Sequence, residues 1–258
     1  MSLDHASDFV KHQTVTRDAF LGGRLTLVQP EKGFRAGLDS VLLGAAAGRS
    51  SGHLLDLGAG VGTAALVALA DRPALAATLV ESDPQMAALA VENTDCNGFS
   101  ARARVLTLDL TASGRTRSAA GLAADAYDTV IANPPFFEAG TAPSPRRAAA
   151  RHMPAEILDL WVKAAATHAA PAGEVIFIHV AERLSALLAA FDARFGAITL
   201  LPLIPREGEP AHRILIRGIK GSRAPLTLLA SRALHTPAGR SFRAEFEAIF
   251  RGEDRLHW

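Results

Sequence analysis

A single cysteine, Cys96, stands among 258 residues. No intrachain disulfide can form, and neither a CxxC nor an HExxH occurs, so a disulfide framework and a structural zinc site are both excluded and no metal is expected. Stability has to come from an apolar core. Long apolar runs are also missing. The hydrophobic stretches are broken by Asp56, Asp71 and Glu81, whereas a membrane span needs about 18 nearly uninterrupted apolar residues. The N-terminal MSLDHASDFVKHQ puts two Asp, two His and a Lys before any apolar run. It lacks the hydrophobic core of a signal peptide, and the expectation is a cytoplasmic protein. An excess of charge of one sign is absent too. The formal net charge is +1, too near neutral for the whole molecule to attract nucleic acid, so any such site must be a local patch. Arg outnumbers Lys 23 to 4. The guanidinium fork suits phosphate oxygens, but a composition this rich in Ala, Arg and Gly is also what a GC-rich genome produces.

What is present is the composition of a globular protein, 49% hydrophobic and 21% charged, which excludes disorder. DAFLGGRLTLVQP alternates around Gly22-Gly23, a pair that tolerates the positive φ of a tight turn, and predicts a β-hairpin. In the following EKGFRAGLDSVLLGAAA, Leu38, Val41, Leu42 and Ala45 recur at helical spacing, predicting an amphipathic helix that ends near Gly48. From His53 onward short, nearly all-apolar runs alternate with helical stretches. The predicted strands are 53–57, 77–81, 103–108, 127–132 and 174–180, with helices near 62–71, 84–97, 155–170 and 182–194. This is the pattern of a doubly wound, mostly parallel α/β sheet covered on both faces. After Phe195 come AITLLPLIP, HRILIRGIK and PLTLLA without a long helix between them, so the sheet is expected to finish antiparallel. A last helix over SFRAEFEAIFRG should place Phe242, Phe246 and Ile249 on one face, with Gly252 as its stop signal. Without repeats or a long linker, residues 1–258 read as one domain: hairpin and helix over 1–50, Rossmann-like core and C-terminal extension over 51–258. The loops expected to have most freedom are about 110–126 and 137–153.

The strongest cofactor signal is LLDLGAGVGTAAL, residues 54–66, in which a strand runs into Asp56-Leu57-Gly58-Ala59-Gly60-Val61-Gly62 and a helix opens at once. The glycines permit a tight turn and close approach of a ligand to the backbone, although a strand-to-helix turn of small residues is the plainer reading. A dinucleotide fold would show a third glycine at position 63, where this chain has Thr63. Glu81 ends the next strand about 20 residues on, where an acid can accept hydrogen bonds from both ribose hydroxyls. Together these imply a nucleoside ligand without a pyrophosphate. Asp109, after the third strand, has two open readings: acceptor for an adenine amino group, or cap of its own turn. Asn133-Pro134-Pro135-Phe136 closes the fourth strand. Two prolines fix φ and remove two donors, leaving an amide and a carbonyl to receive the hydrogens of an exocyclic amine and Phe136 as a stacking face. Arg146, Arg147 and Arg151 follow in a loop that either grips RNA phosphates or is simply a solvated basic segment. Trp161 and Trp258 are expected to be packing residues.

DLGAGVG, Glu81, Asp109 and NPPF in this order resemble the class I S-adenosylmethionine-dependent methyltransferases, in particular the amino-methylating branch. QPEKGFRAGLDSVLL, SPRRAAARH and LIPREGEPAHRILIRGIKG extend the resemblance over most of the chain, to the bacterial tRNA (adenine-N6)-methyltransferase family that modifies the adenine beside the anticodon of a valine tRNA. The resemblance implies that Asn133 and Pro134 orient the target amine within the turn that Pro135 completes and Phe136 stacks on the base. It also implies that Asp56, Gly58, Gly60, Gly62, Glu81 and Asp109 line the S-adenosylmethionine site, and that Arg35 and Asp39 close over its methionine end. Its partner would be RNA, most directly tRNA, with no membrane. The NPP turn is similar to those of guanine-N2 rRNA methyltransferases and of protein glutamine N-methyltransferases, so both remain alternatives. A nicotinamide-dependent oxidoreductase is disfavoured by Thr63, and a catalytically silent RNA-binding module stands as the non-enzymatic reading.

Overall fold

A computed structural model describes residues 14–32, 35–135 and 155–258. Its frame is a twisted sheet whose inner strands are buried on both faces. Consecutive residues of a strand point to opposite sides, and here they enter two separate cores. Leu54, Ile131 and Ile176 face one core, and their neighbours Leu55, Val130 and Val175 face the other. That double burial is why the strand runs are continuously apolar.

The chain opens with a hairpin, β1 (Val15–Phe20) and β2 (Leu25–Pro30), turned by Leu21–Gly23 with φ +63° at Gly22 and +92° at Gly23. Helix α1 (Leu38–Ala46) follows. The units β3 (Ser51–Leu57), α2 (Thr63–Ala70), β4 (Ala74–Glu81), α3 (Pro84–Cys96) and β5 (Ala103–Thr107) wind outward to one edge. The start of α3 shows why its sequence is helical: Asp83 caps the amides of Gln85 and Met86, and Pro84 occupies the first turn. The chain then returns through α4 (Gly114–Ala119) to β6 (Tyr127–Ala132), on the other side of β3. Next come α5 (Ala155–His168), β7 (Ala169–Val180), a 3₁₀ turn at Ala181–Arg183, α6 (Leu184–Asp192), β8 (Phe195–Ile204) and β9 (Arg213–Lys220). Two short strands, β10 (Thr227–Leu228) and β11 (Arg232–Ala233), and α7 (Ala244–Arg251) complete the described chain.

The strand order is β10-β8-β9-β7-β6-β3-β4-β5, with β11 also on β8. Strands β5, β4, β3, β6 and β7 are parallel, and β9 runs antiparallel between β7 and β8. The mixed α/β class, the parallel centre and the antiparallel finish are as the sequence implies. Four local expectations change. PLTLLA is not a third full strand: only Thr227–Leu228 pairs, parallel to β8, because Pro225 lacks a donor and the segment hangs on an edge with Leu228 64% exposed. Phe242 lies ahead of α7, stacked on His235 at 4.8 Å instead of sharing a helical face with Phe246 and Ile249. The loop over 110–126 contains α4, whose cap is Ser113. Strand β7 starts at Ala169, five residues before the apolar run.

The sheet order reverses between β3 and β6, and an open α/β sheet leaves a crevice at the carboxyl ends of its strands at such a point.

Candidate active site

At this reversal the strand register aligns the residues that matter. Leu57 pairs with Val80 on one side and Ala132 on the other. The residues one step further, Glu81, Gly58 and Asn133, therefore form a row across the carboxyl ends of β4, β3 and β6, each about 4.8 Å from the next strand. The acidic strand end, the glycine turn and the NPP turn, separated in sequence, meet here.

In the glycine turn Gly58, Gly60 and Gly62 have φ of +66°, +57° and +90°, a region that penalises any side chain. Ala59 N–H donates to Val80 O at 2.9 Å and Gly62 N–H to Ala59 O at 2.8 Å. The Glu81 carboxylate holds the turn as well: Oε2 accepts from Gly60 N–H at 2.8 Å and Oε1 from Asp83 N–H at 2.9 Å. Ser82 Oγ also donates to Oε1, at 3.3 Å, so the further acceptor site lies on Oε2, and Glu81 can receive a hydroxyl there while fixing the loop beside it. Asp56 lies beneath, buried, accepting from Ala65 N–H at 3.1 Å at the start of α2. Burial pushes its carboxyl up to about 7, against the lowering effect of the Ala65 amide and with a further rise from Glu81.

The reason for Gly58 differs from the one the sequence suggests. A Cβ there would lie 2.3 Å from Cη2 of Trp161, so the indole of α5, not a ligand, takes that space. A Cβ at Gly62 would meet Leu79 at 2.8 Å. Trp161 is a packing residue, as expected, but what it packs against is the glycine turn.

Asn133 is half-buried, Pro134 buried and Pro135 exposed. Asn133 Oδ1 is buried without a hydrogen-bond partner among the described residues. Such an orphan acceptor costs about 1–3 kcal/mol unless water or a ligand completes the bond. Phe136, Arg146, Arg147 and Arg151 lie outside the described residues.

Asp109 sits two residues past the end of β5, exposed, with Oδ1 accepting from Thr111 N–H and Oγ at 2.8 Å each. It caps its own turn, with Oδ2 left over. Arg35 turns toward the hairpin, bonded to Asp18 Oδ2 at 2.7 Å, Pro30 O at 2.8 Å and Thr16 Oγ at 3.0 Å. Asp39, in the first turn of α1, accepts from Arg213 Nε at 2.9 Å, and Arg213 pairs in register with Val180 at the carboxyl end of β7. The row and its turns thus carry Asp56, Gly58, Gly60, Gly62, Glu81, Asn133, Pro134 and Pro135, while Arg35, Asp39 and Asp109 make their bonds elsewhere, to the hairpin, to Arg213 and to Thr111. Sequence reasoning missed the Asp39–Arg213 ion pair and His179. The latter is a buried imidazole on β7 near the same edge, with Nδ1 accepting from Val180 N–H at 2.9 Å and its pKa pushed down to about 4 by burial. No local motif marks either.

The groups present suit a nucleoside: a carboxylate oxygen free for a ribose hydroxyl, a glycine turn with Thr63 where a dinucleotide fingerprint has glycine, and, one strand away, an acceptor unfilled among the described residues for a second, amine-bearing substrate. Among the described residues no group of three or more His, Cys, Asp or Glu could hold a metal ion, and no helix is long and apolar enough to cross a membrane.

Residues 38–201 match the family model described as the methyltransferase small domain. A protein of a Flavobacteriaceae bacterium named tRNA1(Val) (adenine(37)-N6)-methyltransferase is 34% identical over 131 residues, 50% of this chain and 52% of that protein. A protein of the same name from Porphyromonas gingivalis is 32% identical over 176 residues, 66% of this chain and 68% of that one. The match thus spans about half of the first relative's length and two thirds of the second's. Among solved structures, one described as a predicted O-methyltransferase from Agrobacterium tumefaciens superposes with a TM-score of 0.72 at 29% identity, over 84% of this chain and 98% of that chain.

Proposed function

Because this chain belongs to the methyltransferase small domain family, we propose that it transfers the methyl group of S-adenosylmethionine to the exocyclic N6 of an adenine in tRNA, the reaction for which its relatives are named: adenine 37 of tRNA1(Val). The observation that carries this reading is the row Glu81, Gly58, Asn133, with Asn133 Oδ1 at its end, buried and without a partner among the described residues. Glu81 and the glycine turn are suited to the cofactor, and the NPP turn to the amine.

An aromatic amine is a poor nucleophile because its lone pair is delocalised into the ring. Asn133 Oδ1 and the Pro134 carbonyl, held rigid by two fixed proline φ angles, accept its two N–H groups and favour pyramidalisation at nitrogen. The sulfonium supplies an electrophilic methyl group. With it bound, the amine's lone pair would form the new N–C bond as the S–C bond electrons return to sulfur, leaving a neutral thioether, and the amine's proton would then pass to solvent. Alignment and electrostatic preorganisation account for the rate without a covalent intermediate. Phe136 would stack on the extruded base and Arg146, Arg147 and Arg151 would hold adjacent phosphates. An RNA substrate of this kind goes with a cytoplasmic enzyme.

The test is to incubate the protein with S-adenosylmethionine and tRNA and digest the product to nucleosides. N6-methyladenosine is expected. N2-methylguanosine in rRNA, or a methylated glutamine, would replace the substrate while keeping methyl transfer. Tight nicotinamide binding with no response to S-adenosylmethionine would overturn the assignment altogether. Glu81→Ala should weaken cofactor binding by about one to two decades, through loss of hydrogen bonds to a charged acceptor worth roughly 1.5–3 kcal/mol.

A further inference from the structure

We propose that the carboxyl edge of β7, together with the adjoining ends of β9 and β8, is a second RNA-docking ledge, beside the crevice and separate from the arginines that follow the NPP turn. This rests on the RNA-substrate reading.

Three segments build the ledge: the turn Ala181–Arg183 after β7, residues 205–212 between β8 and β9, and residues 232–243, which begin as β11 paired to Leu203 and Ile204. Such connections are ordinarily loose, but these are braced against one another. Arg206 Nη2 donates to Gly239 O at 2.8 Å, and Arg243 pairs with Glu207 at 2.6 Å. His235 stacks on Phe242, and Thr236 closes the turn between them onto Ala238 O and Ser241 O. The braces consume the carboxylates: Glu207 is taken by Arg243, Glu209 by Arg206 and Asp39 by Arg213. Glu182 is the acid left over. Arg183 and Arg240 are exposed and Arg232 is half-buried, and the side chains of these three make no hydrogen bond or ion pair among the described residues. A rigid surface therefore offers guanidiniums whose forks are unfilled, the arrangement that planar phosphate recognition requires. No exposed large apolar side chain among the described residues lies on these segments, which argues against a protein partner.

Position agrees with this. From β6, which Asn133 follows, to β8 is three strand spacings, roughly 14 Å, the rise of a few stacked nucleotides at about 3.4 Å each. An RNA whose base enters beside Asn133 has neighbouring phosphates within reach of the ledge. The structure also divides the basic residues that cluster late in the sequence. Arg206 and Arg213 belong to the carboxyl edge. Lys220 is spent at the opposite end, on Ala166 O, Ala169 O and Asp125, and Arg217 lies over the Trp258 ring at 4.6 Å. Arg223, exposed, is also at that far end.

The experiment compares tRNA binding by fluorescence anisotropy, across a salt series, for the wild type, Arg183→Glu/Arg240→Glu, and the control Arg223→Glu. None of these arginines braces the fold. The ledge variant should bind at least about tenfold more weakly at about 0.15 M salt and lose roughly one unit of salt slope per contact removed. Its cofactor affinity should be unchanged, and Arg223→Glu should behave as wild type. Equal losses in ledge variant and control, no loss in either, or no tRNA binding by the wild type would overturn the ledge. A parallel assay for N6-methyladenosine reports on the functional reading separately: if methylation of tRNA fails while the ledge variant alone loses RNA, the ledge survives and the target assignment falls.

Discussion

Gly58 and Trp161 meet at a point where neither can be exchanged freely. A methyl group on Gly58 would sit 2.3 Å from the indole, on a backbone with φ +66°. The left-handed conformation costs an L-residue about 1–2 kcal/mol and the overpacking about 1–3 kcal/mol more. Gly58→Ala should therefore destabilise by roughly 2–5 kcal/mol and weaken cofactor binding. Adding Trp161→Leu should restore part of that loss, because the clashing ring is gone. Denaturant midpoints of the two single variants and the double variant decide the matter, and simple additivity would show that the contact is not what makes Gly58 necessary. Asn133 behaves in the opposite way. Its Oδ1 is an unmet acceptor among the described residues, so Asn133→Ala should leave the melting temperature unchanged or slightly raised, since an uncompensated buried polar group is removed. Single-turnover methyl transfer should fall by about 10²–10³, with cofactor affinity close to wild type by calorimetry. A variant that lost stability but kept its rate would remove Asn133 from the chemistry.

Elements whose signal is local were legible beforehand. Strands buried on both faces write themselves as apolar runs, and the hairpin announces itself by Gly22-Gly23. The glycine turn and the NPP turn could be seen to belong to one crevice because a parallel sheet delivers its strand ends to one edge. What escaped depends on distant partners. Asp39 and Arg213 are 174 positions apart, and nothing in either segment announces the ion pair. Phe242 fits a helical period, but Arg243 adopts extended backbone and α7 starts after it. The short α4 and the early start of β7 lack apolar periodicity. The packing role expected of Trp258 proves to be a clasp between elements: Nε1–H donates to Ala46 O at 2.9 Å at the end of α1, and the Arg217 guanidinium covers the ring at 4.6 Å. Trp258→Ala should cost about 2–4 kcal/mol, from lost burial, a hydrogen bond and a cation–π contact. Trp258→Phe, which keeps the ring face, should cost about 1 kcal/mol. Urea unfolding of the pair checks the order, and equal losses would mean that the hydrogen bond, not the stacking, carries the clasp.

At the scale of the whole molecule, two apolar cores lie on either face of the sheet and the proposed site lies at its carboxyl edge, with Asp56 buried beneath the glycine turn. Its carboxyl titrates at about 7 in the folded protein because burial penalises the charge, whereas in the unfolded chain an Asp ionises near about 3.9. Between those values the folded state holds a proton that the unfolded state has released, so stability falls as pH rises. The contribution of protonated Asp56 is complete below about pH 4, declines across the interval, and is gone above about pH 7. An asparagine at this position is isosteric and neutral throughout, and its amide oxygen can still accept from the Ala65 N–H. Asp56→Asn should therefore gain on the wild type by about 2–3 kcal/mol between about pH 5 and about pH 8, because roughly two pH units of that span lie below the folded pKa and each is worth about 1.4 kcal/mol. Urea unfolding of both proteins at the two pH values measures this directly. A difference between them that does not change with pH would mean that Asp56 is already ionised in the fold at the lower pH, and the glycine turn would then rest on a buried anion instead of a neutral acid.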